Sequence, residues 1–153
     1  MNSGTRRLAL VVNRVGRKGV PAPRSFETWV RAALRGSGRI RPVTVALVGG
    51  REARALNRRF RGKDYATNVL SFAYEPLPGE TAAPLGDLVL CPSVIAREAR
   101  RQGKRLSHHY AHLTIHGVLH LLGHDHQTAR QAQRMEALET QLLAGLGIPD
   151  PYR

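Results

Sequence analysis

At 153 residues the chain is the size of one domain and long enough to bury a core without disulfides or metal staples. A hydrophobic fraction of 42% excludes a disordered chain, and no apolar run approaches the ~18 residues of a membrane span. The net charge of +13 is concentrated in residues 1–105, which carry 21 basic and 7 acidic side chains, and points to a polyanionic partner, nucleic acid before membrane.

Leu8–Asn13 alternates weakly and reads as a first strand. Its apolar part falls short of the ~7–15 residues of a signal-peptide core, so the expectation is a cytoplasmic protein. Ser25 is a candidate N-cap for a helix with Phe26, Trp29, Val30, Ala33 and Leu34 at helical spacing, stopped by Gly36 and Gly38. Val43–Val48 reads as a strand. Glu52–Phe60 reads as a helix with Ala53, Leu56 and Phe60 inward. Val69–Tyr74 and Leu85–Cys91 are two further strands, parted by a loop rich in proline and glycine. Cys91, the only cysteine, is expected to be a buried thiol at a strand end, which suits a reducing compartment. Pro92 and Ser93 open a helix to about Gln102, and Ser107 is the expected cap of another that runs to Gly123. Thr128 and Gln131 form a capping box for the last helix, whose buried face carries Met135, Leu138 and Leu142. This order predicts a single α+β domain over residues 1–153, a small mixed sheet packed with helices.

All seven histidines lie between residues 108 and 126. His116 and His120, four apart, share one helical face, with their Cβ atoms ~5–6 Å apart. Gly123 releases the helix, because glycine takes left-handed angles without strain, and lets His126 approach from a third direction. Three neutral imidazoles favour one zinc ion per chain over magnesium or calcium, although copper and nickel also accept imidazole. Three protein ligands leave a position for water, the arrangement of a catalytic site. A structural site would need a fourth ligand, for which His112, His124 and Asp125 are the candidates. His108, His109 and His112 otherwise read as helix-start, surface or hydrogen-bonded core residues, and Asp125 as a group that orients a ligand imidazole.

The spacing H-x-x-x-H-x-x-G-x-x-H is that of the metzincin peptidases. They carry a glutamate general base directly after the first histidine, where this chain has Gly117. Peptidase activity is therefore disfavoured. Either another group assists, or hydroxide on the metal acts alone, since zinc lowers the pKa of its water to ~7.

Three segments resemble one family. His116-Gly-Val-Leu-His120-Leu-Leu-Gly-His124-Asp125-His126 is similar to the zinc signature of the YbeY-type endoribonucleases, bacterial rRNA maturation factors. Leu56-Asn57, Arg61-Gly62-Lys63-Asp64 and Thr67-Asn68-Val69-Leu70-Ser71-Phe72 resemble its second block, and Leu85-Gly86-Asp87-Leu88-Val89 its third. The likeness runs from about Val43 to Tyr152 and includes Met135-Glu-Ala-Leu-Glu139. Ala66 stands where the family usually has proline, and residues 1–41 carry no recognisable family motif.

The resemblance implies a zinc-dependent, single-strand-specific endoribonuclease that matures the 3′ end of 16S rRNA and serves ribosome quality control. It implies His116, His120 and His126 as zinc ligands and Arg61 as a catalytic arginine beside His116. Arg58, Arg59, Arg61 and Lys63 are then the expected RNA contacts. The implied partners are single-stranded RNA, rRNA, the small ribosomal subunit and ribosome-assembly proteins, with no membrane. A non-catalytic assembly factor that holds a structural ion is the alternative, and a zinc peptidase the more remote one.

Overall fold

The computed structural model describes residues 6–80 and 82–153. In chain order the elements are β1 (Ala9–Asn13), α1 (Pro23–Leu34), β2 (Val43–Leu47), α2 (Gly50–Arg61), β3 (Val69–Ala73), β4 (Gly86–Leu90), α3 (Pro92–Gln102), α4 (Leu106–Leu121) and α5 (Ala129–Gly145). This is the order of strands and helices read from the sequence.

The strands form one mixed sheet in the order β1-β2-β4-β3. β1, β2 and β4 are parallel, and β3 returns antiparallel along β4 as an outer strand. β2 buries Val43, Val45 and Leu47 on one face with the period of two that a strand imposes. Those residues join Leu88 and Leu90 of β4, Phe26, Val30 and Leu34 of α1, and Tyr110, Ile115 and Val118 of α4 in the main core. Phe26 packs edge-on against both Trp29 and Tyr110, which locks α1 to α4. A second, smaller cluster around Val48, Ala53, Leu70, Val89, Cys91 and Val94 holds α2 and α3 to the sheet. Cys91 is fully buried there, as its position at a strand end led us to expect.

α4 is buried almost all round, so it runs through the core rather than over it. Its residues that are not buried beyond the first turn are His112, His116 and His120, one stripe at four-residue spacing. Gly117, next along the helix and about 100° round from His116, faces the sheet: a Cβ there would stand 2.7 Å from Leu88 Cδ2 and 3.3 Å from Ser71 Oγ.

Three local expectations are corrected. Ser25 does not cap α1; the helix starts at Pro23, whose missing N–H costs nothing in the first turn, and Ala22 stands at the N-cap without a side-chain bond. Ser107 does not cap α4, because His109 N–H already donates to Arg105 O at 3.0 Å and the helix begins at Leu106. Phe60 does not face inward. It is 55% exposed, packs edge-on against Phe72 and has the Arg59 guanidinium over its ring. The capping box of α5 forms as read: Gln131 N–H donates to Thr128 Oγ1 and Thr128 N–H to Gln131 Oε1, both at 3.1 Å.

Candidate metal centre

The site begins with the helical spacing in α4. His116 and His120 stand one turn apart with ring centroids at 4.8 Å. α4 ends at Leu121, and Gly123 takes φ 101°, the left-handed region that favours glycine. His124 N–H then donates back to Leu119 O at 3.0 Å, which closes the reversal. The chain returns His126 over the same face, stacked on His116 at 5.5 Å and edge-on to His120 at 4.9 Å. One donor atom from each of the three rings lies within 4.8 Å of the others. The capping box at Thr128 fixes where α5 departs, two residues later.

Behind these rings sits a carboxylate to which sequence reasoning gave no role. Glu139 is fully buried on the inner face of α5. Its Oε2 accepts from His116 Nδ1 at 2.6 Å, and its Oε1 accepts from His112 Nε2 at 2.7 Å and from the Tyr152 hydroxyl. Burial on its own would raise the Glu139 carboxyl. The hydrogen bonds from His112, His116 and Tyr152 outweigh it and hold the group at about 2. Glu139 is therefore ionised at neutral pH and accepts only. His116 must carry a proton on Nδ1, which leaves Nε2 as its nitrogen available to a metal. The Tyr152 hydroxyl is pushed well above its ordinary range by burial and by this carboxylate. The one available signal for Glu139 was an acidic residue on the apolar face of a helix, one position from Leu138 and four from Met135.

Burial pushes His120 down, and its neighbours His116 and His126 push it further, which favours the neutral ring with a lone pair to offer. A set of three converging imidazoles, one of them oriented by a buried carboxylate, fits zinc chemistry. The other candidates for a fourth ligand do not join it. His112 is committed to Glu139, His124 is exposed, and Asp125 Oδ1 accepts from the His126 backbone N–H at 2.7 Å. Asp125 was expected to orient an imidazole; it shapes the turn, and Glu139 does the orienting. His109 is buried and bonds Glu98 through Nε2 at 2.9 Å, a core role as anticipated.

The three rings form one wall of a cleft of about 880 Å³. The facing wall is β3 with the residues before it, and Phe60 and Arg61 stand on its rim. Arg61 is the last residue of α2. Gly62 follows at φ 71°, its N–H bonded to Arg58 O, and turns the chain away so that Arg61 remains over the cleft. Arg58, Arg59 and Lys63 are exposed nearby but do not line it. Of the four basic residues named from the sequence, Arg61 lines the cleft and Arg58, Arg59 and Lys63 do not.

The YbeY model, described as endoribonuclease YbeY, matches residues 17–147. The chain belongs to the YbeY endoribonuclease family. The match also takes in α1, so the family likeness starts well before Val43, where the recognisable motifs begin. Endoribonuclease YbeY of Stenotrophomonas maltophilia is 52% identical, over 99% of this chain and 98% of that protein. The protein of the same name from Alkalilimnicola ehrlichii is 53% identical over 90% of this chain and 85% of its own length. Among solved structures, that of TM1509 from Thermotoga maritima superposes with a TM-score of 0.58 over 90% of this chain and 91% of that one. At 20% identity that likeness speaks for the fold alone.

Proposed function

We propose that this YbeY-family protein is a zinc-dependent endoribonuclease that cuts single-stranded RNA, with rRNA as its substrate. One observation carries the reading: three imidazoles converge on one wall of a cleft whose rim bears Arg61. His116, His120 and His126 would hold the ion. Zinc bound there supplies a Lewis acid for a phosphoryl oxygen and lowers the pKa of water.

The chain's own groups do the rest. The Arg61 guanidinium offers two parallel donors to the non-bridging oxygens of a phosphate, whose charge grows as it is attacked. Glu139 keeps His116 in the tautomer that leaves Nε2 free. The exposed arginines outside the cleft, with Lys63, attract the RNA backbone and set a salt-dependent affinity. Position 117 cannot supply the metzincin base, because its Cβ direction points into Leu88. No helix of the described residues is long and apolar enough to cross a membrane. The partners proposed are rRNA, the small ribosomal subunit and its assembly proteins, in the cytoplasm.

Zinc analysis and cleavage of an rRNA fragment test this together. The parent should hold about one zinc per chain. Ala at His116, His120 or His126 should strip the ion and abolish cleavage while RNA binding persists; His124→Ala should keep both. Cleavage that survives loss of zinc overturns the metal reading. An ion held tightly by a parent that never cuts favours the non-catalytic assembly factor.

A further inference from the structure

The facing wall of the cleft is the free edge of the sheet. Seven consecutive residues, Thr67–Ala73, line it. A strand that showed the cleft one face would contribute alternate residues. Both parities contribute because the border is the edge itself, backbone included.

The register identifies the backbone groups that point there. Tyr74 N–H donates to Leu85 O at 2.9 Å, and Cys91 N–H to Asn68 O at 3.0 Å. The even-numbered residues of β3 therefore make its bonds to β4. Val69, Ser71 and Ala73 stand opposite Leu90, Leu88 and Gly86 in the unbonded pairs, and aim their N–H and C=O groups outward. The Val69 N–H is taken by Asn68 Oδ1 at 2.6 Å. Ser71 and Ala73 remain, each with a donor and an acceptor side by side. Ser71 Oγ donates to Gly117 O at 3.3 Å, which ties this edge to the residue after His116.

We propose that the outward backbone groups of Ser71 and Ala73 hydrogen-bond the Watson–Crick edges of unpaired RNA bases. The inference rests on the ribonuclease reading above. Every nucleobase carries a donor next to an acceptor on that edge, so a backbone N–H and C=O fit any of the four. A base already paired in a duplex has neither to give. Selectivity for single strands then follows from hydrogen-bonding capacity, without a base-specific side chain. An extended peptide could also add to a strand edge. RNA is favoured by charge, because Arg61 borders the same cleft and the chain carries +13.

The test uses the zinc-loaded full chain and a short oligouridylate in which a single N3-methyluridine is moved along the strand. The methyl group removes the N3–H donor and obstructs that edge while ribose and phosphates stay intact. One or two positions beside the cut should lose about ten-fold in kcat/KM, and the others should stay near the parent oligomer. Saturating unmodified oligomer should also slow hydrogen exchange at the Ser71 and Ala73 amides. The Leu70 and Phe72 amides, already bonded to β4, should not move. A flat methyl scan on an oligomer that is cut overturns the edge inference and leaves the ribonuclease reading standing. If the unmodified oligomer is not cut, the ribonuclease reading fails, and amide exchange decides the edge alone: absence of protection overturns it. Protection of Ser71 and Ala73 by an extended peptide and not by RNA assigns the edge to a protein and overturns the proposal.

Discussion

Glu139 Oε2 stands 2.6 Å from His116 Nδ1, while its other oxygen takes His112 Nε2 at 2.7 Å. One buried carboxylate thus sets the proton on the ring that anchors the donor group. Glu139→Gln leaves one acceptor oxygen where two imidazoles each had one, and removes the negative charge that holds the ring protons. Zinc affinity, measured by competition with a chromophoric chelator, should fall by roughly 10–100-fold. Tyr152→Phe removes a single bond to the same carboxylate and should cost about 1 kcal/mol of stability with the ion still bound. An unchanged zinc affinity in Glu139→Gln would sink the positioning role.

Arg61 should act on rate. Arg61→Ala should lower turnover at saturating RNA by ~10²–10³, with zinc content and melting temperature unchanged. Arg61→Lys should restore part of the loss, because an ammonium lacks the two-pronged geometry. Arg58 and Arg59 lie outside the cleft, so their Ala variants should weaken binding and leave saturated turnover nearly intact. If Arg58→Ala falls as far as Arg61→Ala, the arginine at the rim has no special role.

Two glycines are fixed by close approach. A Cβ on Gly86 would meet the Phe72 carbonyl oxygen at 2.2 Å, and one on Gly117 would meet the buried Leu88 Cδ2 at 2.7 Å. Overpacking of this kind costs about 1–3 kcal/mol. At Gly117 the helix gains back roughly 1 kcal/mol from alanine's propensity. Urea unfolding should therefore rank Gly86→Ala as more damaging than Gly117→Ala. The reverse order would mean that the backbone at Gly86 yields more easily than Leu88 does.

Glu27 makes part of the stability depend on pH. Burial raises its carboxyl, but the N–H groups of Ala9 and Leu8 and the Arg31 guanidinium outweigh that and hold it below its ordinary 4.5. A carboxylate depressed on folding stabilises fully above its unfolded value and loses that contribution as pH falls through the folded one. Glu27→Gln should thus cost about 1–2 kcal/mol at pH 7. The gap between variant and parent should close below pH 4.5. A gap independent of pH would show that the bonds, not the charge, hold β1 to α1.

Local signals read well in this sequence. Local signals placed every strand and helix, with only the start of α1 off by three residues, and the four-residue step from His116 to His120, with Gly123 beyond it, placed the imidazoles on one face. The misreadings arise where distant chain decides the outcome. Phe60 lies exposed because Phe72, on a strand twelve residues away, offers it a ring edge at the rim. Glu139 reaches His116 across 23 residues, and no local pattern encodes that meeting. The β3 wall of the cleft depends on the sheet order, which strand propensities do not specify. Arg61 was singled out by family resemblance alone, since its neighbours Arg58 and Arg59 carry the same charge.

The donors and the cleft also differ in how far apart they lie along the chain. His116, His120 and His126 come from one short stretch, closed by the Gly123 reversal. Ser71 meets Gly117 only across 46 residues. Closing the first loop costs little chain entropy, and closing the second costs more. The three imidazoles can therefore be brought together at a lower cost in chain entropy than the two walls of the cleft. A short local loop suffices to gather the rings, but the groove beside them exists only once the sheet has set β3 against α4.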